Sequence, residues 1–260
     1  MTLNDYMIGT TAVGIVIVNG PGGATFTENE RLTIVSEVSQ GFDILYRLSK
    51  RSPVNPHLLF LAEVRTVSLD LDPATVPKPT GNEGTRSSEI RSIEPVWLDQ
   101  ALTKLGYPVG QSGVEVYRQA LLAKSWTAGG TPQWAYVVFF TKYPAGWVAY
   151  ARNRRWITMQ YEYLTTGGPG GTTAWGPANI DRVFAHETGH MFDAPDEFTS
   201  TCRSSDVFGF LKVQNGNCAA TNPASVPCLM KKNTEDVCDW TLGHFGWVDA
   251  NGDGKLDPLP

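Results

Sequence analysis

The chain has 260 residues, of which 42% are hydrophobic and 18% charged. That is enough apolar sequence for a substantial buried core, and it excludes a disordered or low-complexity chain. The net charge is −5 and there is no long lysine or arginine run, so the composition argues against a nucleic-acid or anionic-membrane surface. One large domain, or two subdomains sharing a cleft, is the expectation.

In chain order, the apolar run MIGTTAVGIVIV (7–18) is too short to span a bilayer. Asn4 and Asp5 stand where a signal peptide would carry basic residues, and the run reads as the first core strand, the chain beginning after any export signal or carrying none. NGPGG (19–23) punctuates it. Thr27 and Glu30 form a capping box ahead of Leu32, Val35, Val38, Phe42, Leu45 and Leu48, a stripe that predicts a long amphipathic helix to about Lys50. His57 to Leu71 reads as strand, and Asp72 to Ser92 as a long exposed loop. A short helix ending at Gly106 follows, then one opened by the capping pair Ser112 and Glu115 and reaching about Trp126. WAYVVFFT (134–141), WVAYAR (147–152) and WITMQYE (156–162) are three strands, with Arg152, Arg154 and Arg155 at a solvated hairpin end. The glycine-rich TTGGPGGTTAWGP (165–177) then leads to a helix starting near Asn179. This order composes an α/β or α+β layer, and beyond Phe192 the sequence turns irregular.

All four cysteines, Cys202, Cys218, Cys228 and Cys238, fall in that irregular part, and none has the spacing of a zinc-knuckle CxxC pair. They read as a disulfide framework in an oxidising compartment, with proximity favouring Cys202 with Cys218 and Cys228 with Cys238. The tail DANGDGKLD (249–257) sets Asp249, Asn251, Asp253, the Lys255 carbonyl and Asp257 at the first five ligand spacings of a calcium loop. Pro260 falls where the bidentate carboxylate belongs, which leaves a weak calcium site and a plain Asx-rich turn both open. His244 and most of the eight tryptophans read as core.

The stretch HETGHMFDAPDEF (186–198) carries the chemistry. On a helix, residues four apart lie one above the other, so His186 and His190 can offer imidazoles to one ion while Glu187 sits beside them without being a ligand. A catalytic zinc needs a third protein ligand and an open fourth position. Asp193 shares the histidine face but sits too far along the helix axis. Pro195 forces the chain out of the helix, so Asp196, or Glu197 as the alternative, can fold back onto the metal.

HETGHMFDAPD resembles the HExxHxxGxxH/D signature of the metzincin zinc metallopeptidases, and among them is most similar to the snapalysins, whose third ligand is an aspartate at the position of Asp196. The resemblance rests on residues 179–198 and 228–230. It implies a methionine in a tight turn beneath the metal, supplied by Met230 of CLM (228–230). It also implies an α+β, zincin-like fold: a twisted mixed sheet with a long backing helix and the zinc helix, above an irregular disulfide-stapled lower part. The corresponding organisation is a catalytic part over 1–192 with the zinc helix about 179–192, a second part over 193–248 with the Met-turn, and the calcium-loop-like tail 249–260. Two departures stand out: Asp193 replaces the family's glycine at the turn, and Lys231, Lys232 and Asn233 stand where several metzincins carry a tyrosine.

The implied protein is a secreted, monomeric zinc endopeptidase taking a protein or peptide substrate, with no nucleic acid and no membrane insertion. Glu187 would deprotonate a zinc-activated water and protonate the leaving amine, and WVAYAR is the candidate edge strand for an extended peptide. The rival from another class is a non-enzymatic extracellular module binding zinc and calcium. Glu187 separates the two, since a structural site needs no base and would close its fourth position with Cys or His. A zinc hydrolase acting on a non-peptide amide is the third reading.

Overall fold

The computed structural model describes residues 6–80, 83–127, 130–167, 175–209 and 211–258, the side chains of residues 83 and 84 excepted. Five strands form the main sheet: β1 (Thr10–Asn19), β2 (Leu59–Ser68), β3 (Trp134–Thr141), β4 (Ala149–Arg152) and β5 (Trp156–Gln160). Their order is β2-β1-β3-β5-β4. Neighbours run parallel except β4, which lies antiparallel on β5 at one edge. β1 is buried along almost its whole length, which explains its unbroken apolar sequence: a parallel strand between two neighbours is covered on both faces. Its residues divide by the period of two, Val13, Ile15 and Ile17 entering one core and Ala12, Val16 and Val18 the other.

The first core is closed by α1 (Glu28–Leu48) and α5 (Ile180–Met191), the second by α2 (Glu83–Leu105) and α3 (Gly110–Ala123). α1 begins with the expected reciprocal cap between Thr27 and Glu30. It lies close on α5 because Gly41 has no side chain where Phe184 and the Asp181 carbonyl press in.

Three local expectations are corrected. The stretch 72–92 is not one loop. After a 3-10 turn at Pro73–Thr75, α2 starts at Glu83 and runs 23 residues with Pro95 inside it. Burial of Ile90, Ile93, Trp97, Leu98, Ala101 and Leu102 on one stripe outweighs its proline and its many serines, a tertiary effect that local propensity does not contain. Ser112 and Glu115 do not cap α3: Val109 is the capping residue, and the first N–H, that of Gly110, is taken instead by the Asp99 carboxylate at 2.7 Å. The arginines after β4 are not merely solvated. Arg155 pairs with Glu115, Arg152 approaches Glu94, and the Arg154 Nε donates to the Met191 carbonyl at 3.1 Å.

A six-residue helix, α4 (Tyr161–Thr166), follows β5 directly. The glycine-rich segment lies largely outside the described residues. Below α5 come a two-stranded ribbon, β6 (Val207–Phe208) with β7 (Val213–Gln214), and two short helices, α6 (Leu229–Lys232) and α7 (Asp239–Phe245). This lower part is better cored than its composition suggests. Leu229, Met230, Val237, Leu242, Phe245, Trp247 and Leu256 belong to the same apolar cluster as α1 and α5. The Trp247 indole donates to the Met7 carbonyl at 2.6 Å, tying it to the segment before β1.

Cys202 and Cys218 are bonded, whereas Cys228 and Cys238 are free, which corrects the expected second pair. Each of the two sulfurs has another partner. The Cys228 Sγ meets the Thr241 hydroxyl at 3.3 Å, and the Cys238 thiol donates to the Glu197 carboxylate at 3.1 Å.

Candidate metal centre

α5 is amphipathic in an unusual sense: its apolar residues fill the core, and four of its polar residues, Asp181, His186, Glu187 and Thr188, are buried as well. Thr188 is fixed by the Tyr136 hydroxyl of β3 at 3.0 Å, and Gly189 makes room for Met230, whose Sδ would lie 2.6 Å from any Cβ there. Met230 therefore packs directly under the turn that carries the two histidines. The helix ends at Met191, and Asp193 takes the left-handed conformation (φ 67°) that lets Pro195 and Asp196 double back. The Asp193 carboxylate holds the far loop by accepting from the Gly209 N–H at 2.7 Å.

The return brings Asp196, not Glu197, to the histidines. Donor atoms of His186, His190 and Asp196 lie within 4.8 Å of one another. The Asp196 Oδ1 is 3.1 Å from the His186 Nε2 and 3.4 Å from the His190 Nε2. Both rings are oriented from behind, because the His186 Nδ1–H donates to the Leu229 carbonyl at 2.9 Å and the His190 Nδ1–H to the Ala194 carbonyl at 2.7 Å. A carbonyl only accepts, so both Nδ1 atoms carry hydrogens and both Nε2 atoms converge as ligands. Glu197 points the other way into a fully buried network with Thr241 (2.8 Å), Asn217 (2.6 Å) and the Cys238 thiol.

The electrostatics fit a cation at this point. Burial opposes charge on Asp196, but hydrogen bonds and charge from His186 and His190 outweigh it and hold the carboxyl far below its ordinary range. Burial pushes His190 down, yet the hydrogen bond and charge of Asp196, then Glu187 and the Ala194 carbonyl, lift it to about 9. Burial pushes the Glu187 carboxyl up, against the pull of the two histidines, and its Oε2 is buried without a hydrogen-bond partner. Two imidazoles and one carboxylate, with solvent access on the remaining side, match a catalytic zinc site and leave a fourth position open.

That open side is a cleft of about 1370 Å³. It is lined by residues of β4 and α5 and by Phe198 and Lys231–Asn233. β4, the Ala149–Arg152 part of WVAYAR, is an edge strand and lines the same cleft as His186, His190 and Asp196. A family model described as metallo-peptidase family M12 matches residues 83–241, more than half the chain and all of this site. The chain belongs to that family. No curated protein matches it. Membership makes the M12 metallopeptidase a metzincin-type enzyme acting on peptides, for which zinc is the general cofactor.

The sequence did not reveal the two carbonyls that orient the histidines, since every residue has one. It also did not reveal Trp147, Tyr150, Trp175 and Phe198 as cleft residues. In the tail, Asp249, Asn251, Asp253 and Asp257 accept from backbone N–H groups of Ala250, Asp253, Gly254 and Lys255, the pattern of an Asx-turn. Among the described residues its aspartates are not one of the groups of three or more potential ligands that converge within 4.8 Å. His244 is buried, with its Nε2 at 3.2 Å from the Val213 carbonyl.

Proposed function

We propose that this M12 metallopeptidase is a secreted zinc-dependent endopeptidase in which His186, His190 and Asp196 hold the ion and Glu187 is the general base. The observation that carries this reading is the unpartnered, buried Oε2 of Glu187 beside a three-donor cluster opening on a cleft. A group required only for folding would be expected to have its hydrogen bond satisfied. Zinc held here supplies Lewis acidity, lowering the pKa of a water towards about 7 and polarising a substrate carbonyl. Glu187, kept from bulk water, takes the proton of the attacking water and passes it to the leaving amine. β4 receives the substrate as an added strand, so main-chain hydrogen bonds give affinity independent of sequence. Met230 supports the histidine turn by packing against Gly189 and has no part in proton transfer. The Cys202–Cys218 bond supports an oxidising, extracellular location, and no described helix is long and apolar enough to cross a membrane.

The test is Glu187→Gln with zinc content measured alongside hydrolysis of unfolded casein. The expected result is wild-type zinc and a loss of about 100- to 10,000-fold in rate. Unimpaired turnover by the zinc-loaded variant overturns the mechanism. A zinc-loaded wild type inert on casein and on a broad peptide set overturns the endopeptidase reading in favour of a binding module.

A further inference from the structure

The cleft carries a charge pattern that the hydrolytic chemistry does not use. Arg86 of α2, Arg154 after β4, and Lys231 and Lys232 of α6 all line it. Its carboxylates, among the described residues, are Glu187 and Asp196 alone, both committed to the centre. In a chain of net charge −5, this makes the cleft opposite in sign to the molecule as a whole. Such a well concentrates anionic ligands.

The two lysines are also placed, not merely present. They follow Met230 directly, and one residue earlier the Leu229 carbonyl holds His186, so their backbone is tied to a site histidine. The Lys231 Nζ donates to the Ser225 hydroxyl, a neutral acceptor that orients the amine without cancelling its charge. Lys232 is exposed. β4 lines the same cleft, and a peptide extended along that edge points alternate side chains to opposite sides.

We propose that Lys231 and Lys232 read a substrate carboxylate next to the scissile bond, making the enzyme selective for acidic peptides. This rests on the endopeptidase reading above. The carboxylate can come from an Asp or Glu side chain or from the substrate's own C-terminus, and the test separates the two.

Cleavage sites mapped in a digest of unfolded casein fix the register. Three peptides around such a site are then compared by kcat/KM with zinc-loaded enzyme: a C-terminally amidated peptide with Glu beside the scissile bond, the same with Gln, and the Gln peptide with a free C-terminal carboxylate. The Glu peptide, the free acid, or both should be preferred over the amidated Gln peptide by about 5- to 20-fold at low salt, as expected for a pair of partly exposed charges. The preference should shrink as salt is raised. In Lys231→Gln/Lys232→Gln the ratio should fall to about one, and in Lys231→Glu/Lys232→Glu it should invert, ratios within one enzyme being insensitive to the folded fraction. Equal rates on all three peptides overturn the proposal while leaving the endopeptidase reading intact, and a preference unchanged in both double variants removes the lysines from it. No hydrolysis of casein or of any of the peptides overturns the endopeptidase reading first, and this inference with it.

Discussion

Gly41→Ala is the sharpest probe of how the fold positions α5, the helix that carries His186 and His190. Gly41 lies inside α1, where alanine is favoured over glycine by about 1 kcal/mol, so an isolated helix would gain from the change. Here a Cβ would sit 2.5 Å from the Phe184 Cδ1 and 2.9 Å from the Asp181 carbonyl oxygen, both on α5. The ring can rotate only within a full core, and the carbonyl cannot move without the helix. Overpacking of this kind costs about 1–3 kcal/mol, and contact with backbone puts it towards the upper end. Subtracting the propensity gain leaves a net loss of about 1–2 kcal/mol, or about 2–8 °C in Tm for a chain of this size. The assay is thermal unfolding of the zinc-loaded protein, with Gly23→Ala as the control, since a Cβ there meets nothing within 4 Å. If Gly41→Ala melts at or above the wild type, the close approach of α1 and α5 is not what the geometry indicates.

Four further outcomes are expected. Burial raises the carboxyl pKa of Glu37, with the charge of Asp181 adding to it, and burial also raises Asp181. A carboxyl with a higher pKa folded than unfolded loses stability as pH climbs from the unfolded value through the folded one, so Glu37→Gln should raise Tm at pH 7 and the gain should vanish below about pH 4. Glu94→Ala should cost about 3–5 kcal/mol in a denaturant melt and raise KM, because it strips the acceptor from the Tyr150 and Thr158 hydroxyls and the Trp156 indole, which fix the β4–β5 edge. Removing the ion with a chelator should abolish casein hydrolysis and lower Tm by about 5–10 °C, with zinc restoring both, if the protein had been held at about a hundredfold excess over Kd. Millimolar calcium should change neither Tm nor protease sensitivity of the tail, whose acidic side chains already serve its own backbone.

Much of this was legible because it is local. The Thr27–Glu30 cap, the alternation in β1, and the i, i+4 spacing of His186 and His190 are near-neighbour relations that the backbone period converts directly into geometry. Asp196 was legible with its alternative still open, because Pro195 fixes where the helix stops but not which of the next two side chains turns inward. What decides is non-local: Glu197 is captured by Thr241 and Asn217, 44 and 20 positions away along the chain, and that leaves Asp196 beside the two histidines. α2 was missed for the same kind of reason, since its serines and Pro95 speak against a helix and only burial against β1 and β3 speaks for it. Cys228 and Cys238 are near in sequence and their sulfurs lie close in space, yet both are free, and the sequence does not show the Glu197 carboxylate that shares their buried site.

Asp193 shows why a departure from a family pattern need not weaken a site. The turn requires a left-handed residue, and glycine meets that requirement without strain. Aspartate incurs a cost of about 1–2 kcal/mol at the same φ. In return its side chain accepts the Gly209 N–H, a contact glycine cannot make, and a hydrogen bond to a charged acceptor contributes about 1.5–3 kcal/mol, enough to offset the strain. The bond also links the turn bearing Asp196 to Gly209 just after β6, and Asn215, just after β7, donates its side-chain N–H to the Asp196 carbonyl at 3.0 Å. Two hydrogen bonds thus tie the turn to the two ends of the β6–β7 ribbon, while the Leu229 and Ala194 carbonyls hold the two imidazoles. The donor atoms are converged before any ion arrives, and the ordering entropy that a flexible site would lose on binding is met in folding.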